Sequence, residues 1–201
     1  KILDEKKDVR ILDYGCAHGH YVMNLLKRFP GIKLVHGIDI NQSNIDKAKK
    51  WSADEKEERA EFICGTADFL GIANNLFDYD IVMANEVLEH VPDPKGLAEK
   101  LMAHLAPGGT MLCTVPYGAW EAIGYRQHPG WRAHIHHFER ADLFEMFGKQ
   151  RDYRLLAIPN SPTLGHYLFT FRPSGEPLGQ IDYDRKLHEQ APRETLSACI
   201  I

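Results

Sequence analysis

Small residues crowd one stretch of this sequence. ILDYGCAHGH (residues 11–20) runs from an apolar, strand-like segment into Gly15, Ala17 and Gly19. Small side chains between a strand and a helix let a ligand approach the backbone closely. The spacing departs from the dinucleotide fingerprint, because His20 stands where a third small residue belongs. Asp13 precedes the turn, and a carboxylate there suits an ammonium group and opposes a pyrophosphate. Asp39, within GIDI (residues 37–40), closes a second strand-like run. An acid in that place can accept hydrogen bonds from both hydroxyls of a ribose. Glu86, Glu89 and His90 follow another such run. On a helix Glu86 and Glu89 would share a face, and a Glu–His pair can orient an imidazole as a general base. The richest concentration of reactive side chains is HPGWRAHIHHF (residues 128–138). Imidazoles change charge near neutrality, which suits proton removal from a hydroxyl. Two or three of them can also ligate zinc. No cysteine or acid stands nearby at ligand spacing, so lining of an acceptor pocket is the preferred reading and no metal is assigned.

These residues need elements to position them. Residues 9–13, 34–39, 61–64, 79–84 and 110–115 read as short buried strands. Val22, Leu25, Leu26 and Phe29 recur at helical spacing until Pro30-Gly31. Ile45 and Ala48 mark a second helix, with Asn41 or Ser43 as its N-cap. Its charged continuation, residues 54–59, reads as a solvated face or loop. Leu97, Leu101 and Leu105 mark a third helix, ending at Pro107-Gly108-Gly109. Residues 116–138 break the rhythm and read as an insertion or lid. A short helix over 141–147 precedes two late strands, 153–158 and 167–172, joined by the turn-rich 159–162 as an antiparallel hairpin. The alternation predicts an α/β fold with a parallel sheet covered by helices on both faces.

Four stretches in order carry a resemblance: ILDYGCAHGH, GIDI, FDYDIVMANEVLEHVPDP (residues 77–94) and LAPGGTMLCTVP (residues 105–116). With them the chain resembles the class I S-adenosylmethionine-dependent methyltransferases, close to their small-molecule group. The resemblance implies a Rossmann-like methyltransferase fold over residues 1–173: a seven-stranded, mostly parallel sheet with an antiparallel last strand. It implies S-adenosylmethionine as cofactor. Asp13, Gly15, Cys16, Ala17 and Gly19 would surround its methionine part, Asp39 would hold the ribose, and Ile40 would pack on adenine. Ala67 and Asp68 match the adenine-edge loop, although Thr66 stands where relatives often have an acid. Asn85 matches the position whose backbone faces the cofactor's amino group. Ala17 replaces a customary glycine. His136, His137 and His90 are the candidate bases for an oxygen acceptor.

Composition narrows the rest. The chain has 201 residues, 44% hydrophobic and 26% charged, with a net charge of -4. That suits one α/β domain and leaves no electrostatic footprint for nucleic acid. No apolar run reaches the roughly 20 residues of a membrane span, and the start lacks a signal-peptide pattern. Four cysteines without a CxxC pair read as buried free thiols in a reducing cytoplasm. Residues 174–195 read as a linker. Residues 196–201 resemble the opening strand of nucleotide-sugar glycosyltransferases, and only a short segment precedes the first motif. A covalently linked glycosyltransferase domain is therefore expected, with a sugar or glycan hydroxyl as methyl acceptor. The competing classes are N- or C-methylation of another small molecule, a non-catalytic cofactor-binding module, and, more distantly, a nucleotide-linked oxidoreductase.

Overall fold

A computed structural model describes Leu3 and residues 6–67, 78–116, 134–161 and 164–173. Its elements run β1 (Val9–Tyr14), α1 (His20–Arg28), β2 (Ile32–Asp39), α2 (Gln42–Glu55), β3 (Ala60–Cys64), β4 (Tyr79–Asn85), a 3-10 turn (Leu88–His90), α3 (Pro94–Met102), β5 (Leu105–Pro116), α4 (Arg140–Phe147), β6 (Arg151–Ser161) and β7 (Leu164–Arg172). The seven strands form one sheet in the order β3-β2-β1-β4-β5-β7-β6. β1 pairs in parallel with β2 and β4, β2 pairs in parallel with β3, and β6 and β7 are antiparallel. This is the α/β fold expected from the motif order.

The described residues divide into two compact units, one from Lys1–Asn85 with Ala98–Met111, the other from Glu86–Leu97 with Leu112–Ile200. In the first, the period-2 and period-3.6 patterns meet in a single core. Ile11, Leu12, Val22, Val35, Ile38, Ile45 and Ala48 are wholly buried. Asn41 is the N-cap of α2, its Oδ1 accepting from the Ser43 amide at 2.9 Å, which leaves one fewer bare donor at the helix start. α2 ends at Glu55, with Lys56 in the left-handed region. The next residues do more than face solvent. Arg59 forms a two-pronged pair with Glu57 and donates to the Leu26 and Ile32 carbonyls, so it ties the end of α1 to the start of β2. Buried His36 lies between the Tyr79 hydroxyl (2.7 Å) and Glu61 (3.0 Å), which satisfies an imidazole in the sheet.

Two boundaries differ from the sequence reading. α3 stops at Met102, and Leu105 with Pro107-Gly108-Gly109 belongs to β5. The Tyr79 amide donates to the His104 carbonyl at 2.8 Å, which pulls the chain out of the helix before the third leucine. Residues 159–161 lie in β6, not in the turn. In the second unit Phe147 stacks on Phe169 and Phe171, with ring centroids 5.3 and 5.0 Å away. No helix among the described residues is long and apolar enough to cross a membrane. Of the expected lid, residues 117–133 lie outside the described residues, as do the linker at 174–195 and the run at 196–201.

Gly37 marks the tightest point of the β1–β2 layer. A Cβ there would sit 2.7 Å from Phe62 Cδ1 and 2.9 Å from Cys16 Sγ. Phe62 is buried and cannot swing away. Gly37→Ala is expected to lower stability by about 1–3 kcal/mol through overpacking, read as an earlier urea midpoint at unchanged slope.

Candidate active site

The first unit gathers its polar residues at the carboxyl ends of three neighbouring parallel strands. Register pairs Asp13 with Gly37 and Met83, and Tyr14 with Ile38 and Ala84. Asp13, Asp39 and Asn85 therefore come to one edge. The chain builds outward from β1 in one direction through β2 and β3, then returns to the other side with β4. That reversal is where open α/β sheets take ligands.

The loop after β1 is held by the end of β2. The amides of Gly15 and Cys16 both donate to the Ile38 carbonyl, at 2.7 and 3.0 Å. The Ala17 amide donates to Asp39 Oδ2 at 3.0 Å. Asp39 Oδ1 accepts from the Asn41 amide at 2.8 Å. Gly15 and Gly19 have φ of 79° and 83°, and Ala17 has φ 47°. The turn thus runs partly left-handed, a conformation cheap for glycine and costly for alanine. The three amides of this turn are already bonded, which argues against a pyrophosphate ligand.

Asp13 is 1% exposed, and its Oδ2 has no hydrogen-bond partner among the described residues. Burial, and then the neighbouring Asp39 charge, push its carboxyl up to about 7. A buried carboxylate in this state is stabilised by an arriving cation. Cys16 is buried, and its thiol is pushed far above the usual value by burial and by the two aspartates. It is an inert wall, not a nucleophile. Ile40, by contrast, is 72% exposed just past Asp39, a large apolar side chain at the rim of the edge. The Ala67 amide donates to the Tyr14 hydroxyl at 3.2 Å, which ties the segment after β3 back to β1. Nothing in the sequence flagged Tyr14. Asp68 lies outside the described residues.

Residues 1–158 match the family described as "Methyltransferase domain". The chain belongs to this methyltransferase family. A "Ubiquinone biosynthesis O-methyltransferase" of Coxiella burnetii is 31% identical over 106 residues, 53% of this chain and 43% of that protein. A "Phosphoethanolamine N-methyltransferase 2" of Caenorhabditis elegans is 29% identical over 152 residues, 76% of this chain and 30% of that protein. The methyltransferase chain thus spans less than half the length of these relatives. Among solved structures, the N-terminal domain of EvdMO1, crystallised in the presence of SAH and D-fucose, superposes with TM-score 0.62 at 21% identity, covering 83% of this chain and 76% of that one. YcgJ of Bacillus subtilis gives TM-score 0.63 at 16% identity, covering 87% and 97%.

The cofactor of this methyltransferase is S-adenosylmethionine, and the residues present fit it. Asp13 offers a buried, unsaturated carboxylate oxygen for an ammonium group. Asp39 has lone pairs beyond the two it uses on amides, which ribose hydroxyls could occupy. Ile40 offers an apolar face of the size an adenine covers. Asn85, at the end of β4, is half-buried beside them.

The second unit holds the candidate bases, and here the expected helix face is not found. Glu86 has φ 54° and lies outside the 3-10 turn. It pairs instead with His166, Oε2 to Nε2 at 3.2 Å, which raises that imidazole's proton affinity. Glu89 is wholly buried, with Oε1 3.8 Å from Nε2 of exposed His90. The ring of His134 meets that of His90 edge-on, centroids 4.5 Å apart. The approach is fixed by backbone: the amides of Ile135 and His136 both donate to the Glu89 carbonyl, at 2.9 and 3.1 Å. His136 Nε2 donates to the Val91 carbonyl at 2.9 Å, so its lone pair lies on Nδ1. His137 is exposed. Linear spacing concealed the acid beside the histidine cluster, because Glu89 is 45 positions upstream of His134.

Two outcomes follow for the cofactor. Asp39→Ala removes an acceptor for the loop and for a ribose, and should weaken S-adenosylmethionine binding at least about tenfold, since charge-assisted bonds contribute about 1.5–3 kcal/mol. Unchanged affinity by calorimetry would disprove the ribose assignment. If Asp13 faces the ammonium group, the free domain must lose a proton there to bind. Affinity should then fall as pH drops below about 7, the value to which Asp13 is pushed, and Asp13→Asn should flatten that dependence. The same elevation makes the cofactor-free domain bind this proton more tightly than the unfolded chain does, so this group's contribution to stability declines as pH rises from about 4 to 7.

Proposed function

We propose that the domain transfers the methyl group of S-adenosylmethionine to a hydroxyl of a small molecule. The observation that carries this reading is the buried Glu89 carboxylate behind His90, with His134 against the same imidazole. A hydroxyl acceptor must shed a proton as its oxygen takes the methyl carbon, and a carboxylate-backed imidazole is suited to receive it. The cofactor supplies an activated methyl on a leaving group that departs as a neutral thioether. The C–O bond forms as the C–S bond breaks, and the acceptor proton passes to imidazole. What the chain contributes besides proton removal is positioning, which can supply roughly 7–11 kcal/mol. His90 is the favoured base. His136 retains only Nδ1 for the task, and exposed His137 is the third candidate.

The finer reading is a sugar or glycan-linked acceptor. It draws on the likeness of residues 196–201 to a glycosyltransferase opening strand, and on D-fucose having been present with the EvdMO1 domain. A linked glycosyltransferase and a cytoplasmic setting complete that proposal. The N-methyltransferase relative supports the alternative, an amine acceptor, for which a base is less needed.

Release of S-adenosylhomocysteine with methyl glycosides against phosphoethanolamine separates the two. Turnover with hydroxyl acceptors is expected, and turnover confined to the amine would replace this reading. His90→Ala should cut hydroxyl methylation about a hundredfold with cofactor affinity unchanged. Full activity in His90→Ala, His136→Ala and His137→Ala, singly and combined, would exclude imidazole catalysis.

A further inference from the structure

A second acid–imidazole pair lies in the same unit as the candidate bases. Glu86 opens the segment after β4, and its amide donates to the Thr114 carbonyl of β5 at 3.0 Å. His166 lies near the start of β7, where register sets it beside Ile158 of β6. The two side chains meet at 3.2 Å, Glu86 Oε2 to His166 Nε2. The pair thus links β7 to the segment after β4, and backbone bonds hold both partners.

Glu86 carries two costs that this pairing does not offset. Its backbone is left-handed at φ 54°, an unfavourable conformation for a residue with a side chain. Its Oε1 is shut away from solvent and makes no hydrogen bond with a described residue. A shielded acceptor in that state is destabilising in its own right. The side chains of His166 and Glu86 are 31% and 36% exposed, and ion pairs open to water to that degree add little to stability. Stability therefore gives no reason for the strained backbone or the idle oxygen. Both are expected where a residue is held ready for a ligand.

The chemistry of that ligand is narrow. A carboxylate oxygen accepts and does not donate, so Oε1 calls for an O–H or N–H. Glu86 raises the proton affinity of His166, and carboxylate with imidazolium carries no net charge. Such a pair suits a neutral hydroxyl better than an ammonium ion, which is drawn to an uncompensated carboxylate. The 3-10 turn follows directly, closed by the His90 amide on the Val87 carbonyl at 3.0 Å. One short segment therefore carries both Glu86 and the favoured base.

We propose that Glu86, braced by His166, accepts a hydrogen bond from a second hydroxyl of the acceptor, so that the substrate class is a polyol and not a lone alcohol. This rests on the hydroxyl reading above and adds to it. His90 takes the proton from the hydroxyl that is methylated, while Glu86 selects which hydroxyl that is. His166 is a positioning residue: it holds Oε2 and leaves Oε1 to the ligand. An acceptor without the second hydroxyl leaves a shielded oxygen with no donor, and sites built to bind a hydroxyl reject such analogues strongly.

The test loads the full chain with S-adenosylhomocysteine. Calorimetry then reads binding of methyl glucoside, methyl galactoside and methyl mannoside, each with its monodeoxy analogues. At least one hexoside should lose about tenfold or more in affinity when one particular hydroxyl is removed. Glu86→Gly should level that difference, because glycine tolerates the left-handed backbone and the variant deletes only the side chain. His166→Ala should reduce it, with S-adenosylhomocysteine affinity unchanged in both. In turnover the same variants should raise KM more than they lower kcat. Should Glu86→Gly unfold, the comparison in His166→Ala decides, since Oε1 loses its direction without the brace. Equal affinity for every deoxy analogue, or a preference that survives in Glu86→Gly, overturns the contact and leaves hydroxyl methylation to its own assay. Absence of binding by all the hexosides overturns it too. A Glu86-dependent preference without methyl transfer overturns the hydroxyl reading and leaves the contact standing.

Discussion

The carbonyl of Ile38 accepts two hydrogen bonds, from Gly15 and from Cys16. That bifurcated contact sets the rest of the candidate cofactor edge. It fixes where β1 stops, how the loop turns, and which way the Ala17 amide points, which is onto Asp39. Each bond adds only about 1 kcal/mol net, yet together they convert a glycine-rich turn into a rigid rim. Gly19 must then pass over Phe62, where a Cβ would come within 2.8 Å of the ring. The glycine there serves packing as well as conformation.

The legible part of the fold was the part governed by period and punctuation. Ile11, Leu12, Val35 and Ile38 mark buried strands, and Pro30-Gly31 ends α1 where the spacing says it should. Asn41 was one of two candidates for the cap, and the bond to Ser43 selects it. Leu105 misled because three leucines four apart look helical even when a backbone bond from Tyr79 to His104 has already ended the helix. Pro159 misled because proline and asparagine suggest a turn, whereas this stretch pairs with β7.

The candidate sites were legible to different depths. Asp13, Gly15, Ala17 and Asp39 sit within one motif pair, so register alone brings them together. Glu89 and His134 meet only through tertiary structure, and the linear sequence gave Glu89 a wrong neighbour in Glu86. That pairing assumed a helix, and the positive φ of Glu86 removes it. Residue type identified the groups in both places, while the nearness of the Glu89 carboxylate to the histidines shows only once the Ile135 and His136 amides are seen to bond the Glu89 carbonyl.

The closing hairpin has a further consequence for how the chain folds. β6 and β7 are joined by a link of two residues, so their pairing closes a very short loop. β1 and β4 pair across some seventy residues, and that closure must be made against far more chain entropy. Hairpins form within microseconds, whereas sheets built from distant parallel strands are slow. With Phe169 and Phe171 to stack on Phe147, the C-terminal hairpin is equipped to be a local nucleus. The β1–β4 closure, which sets Asn85 beside the edge carrying Asp13, is the costlier of the two in chain entropy.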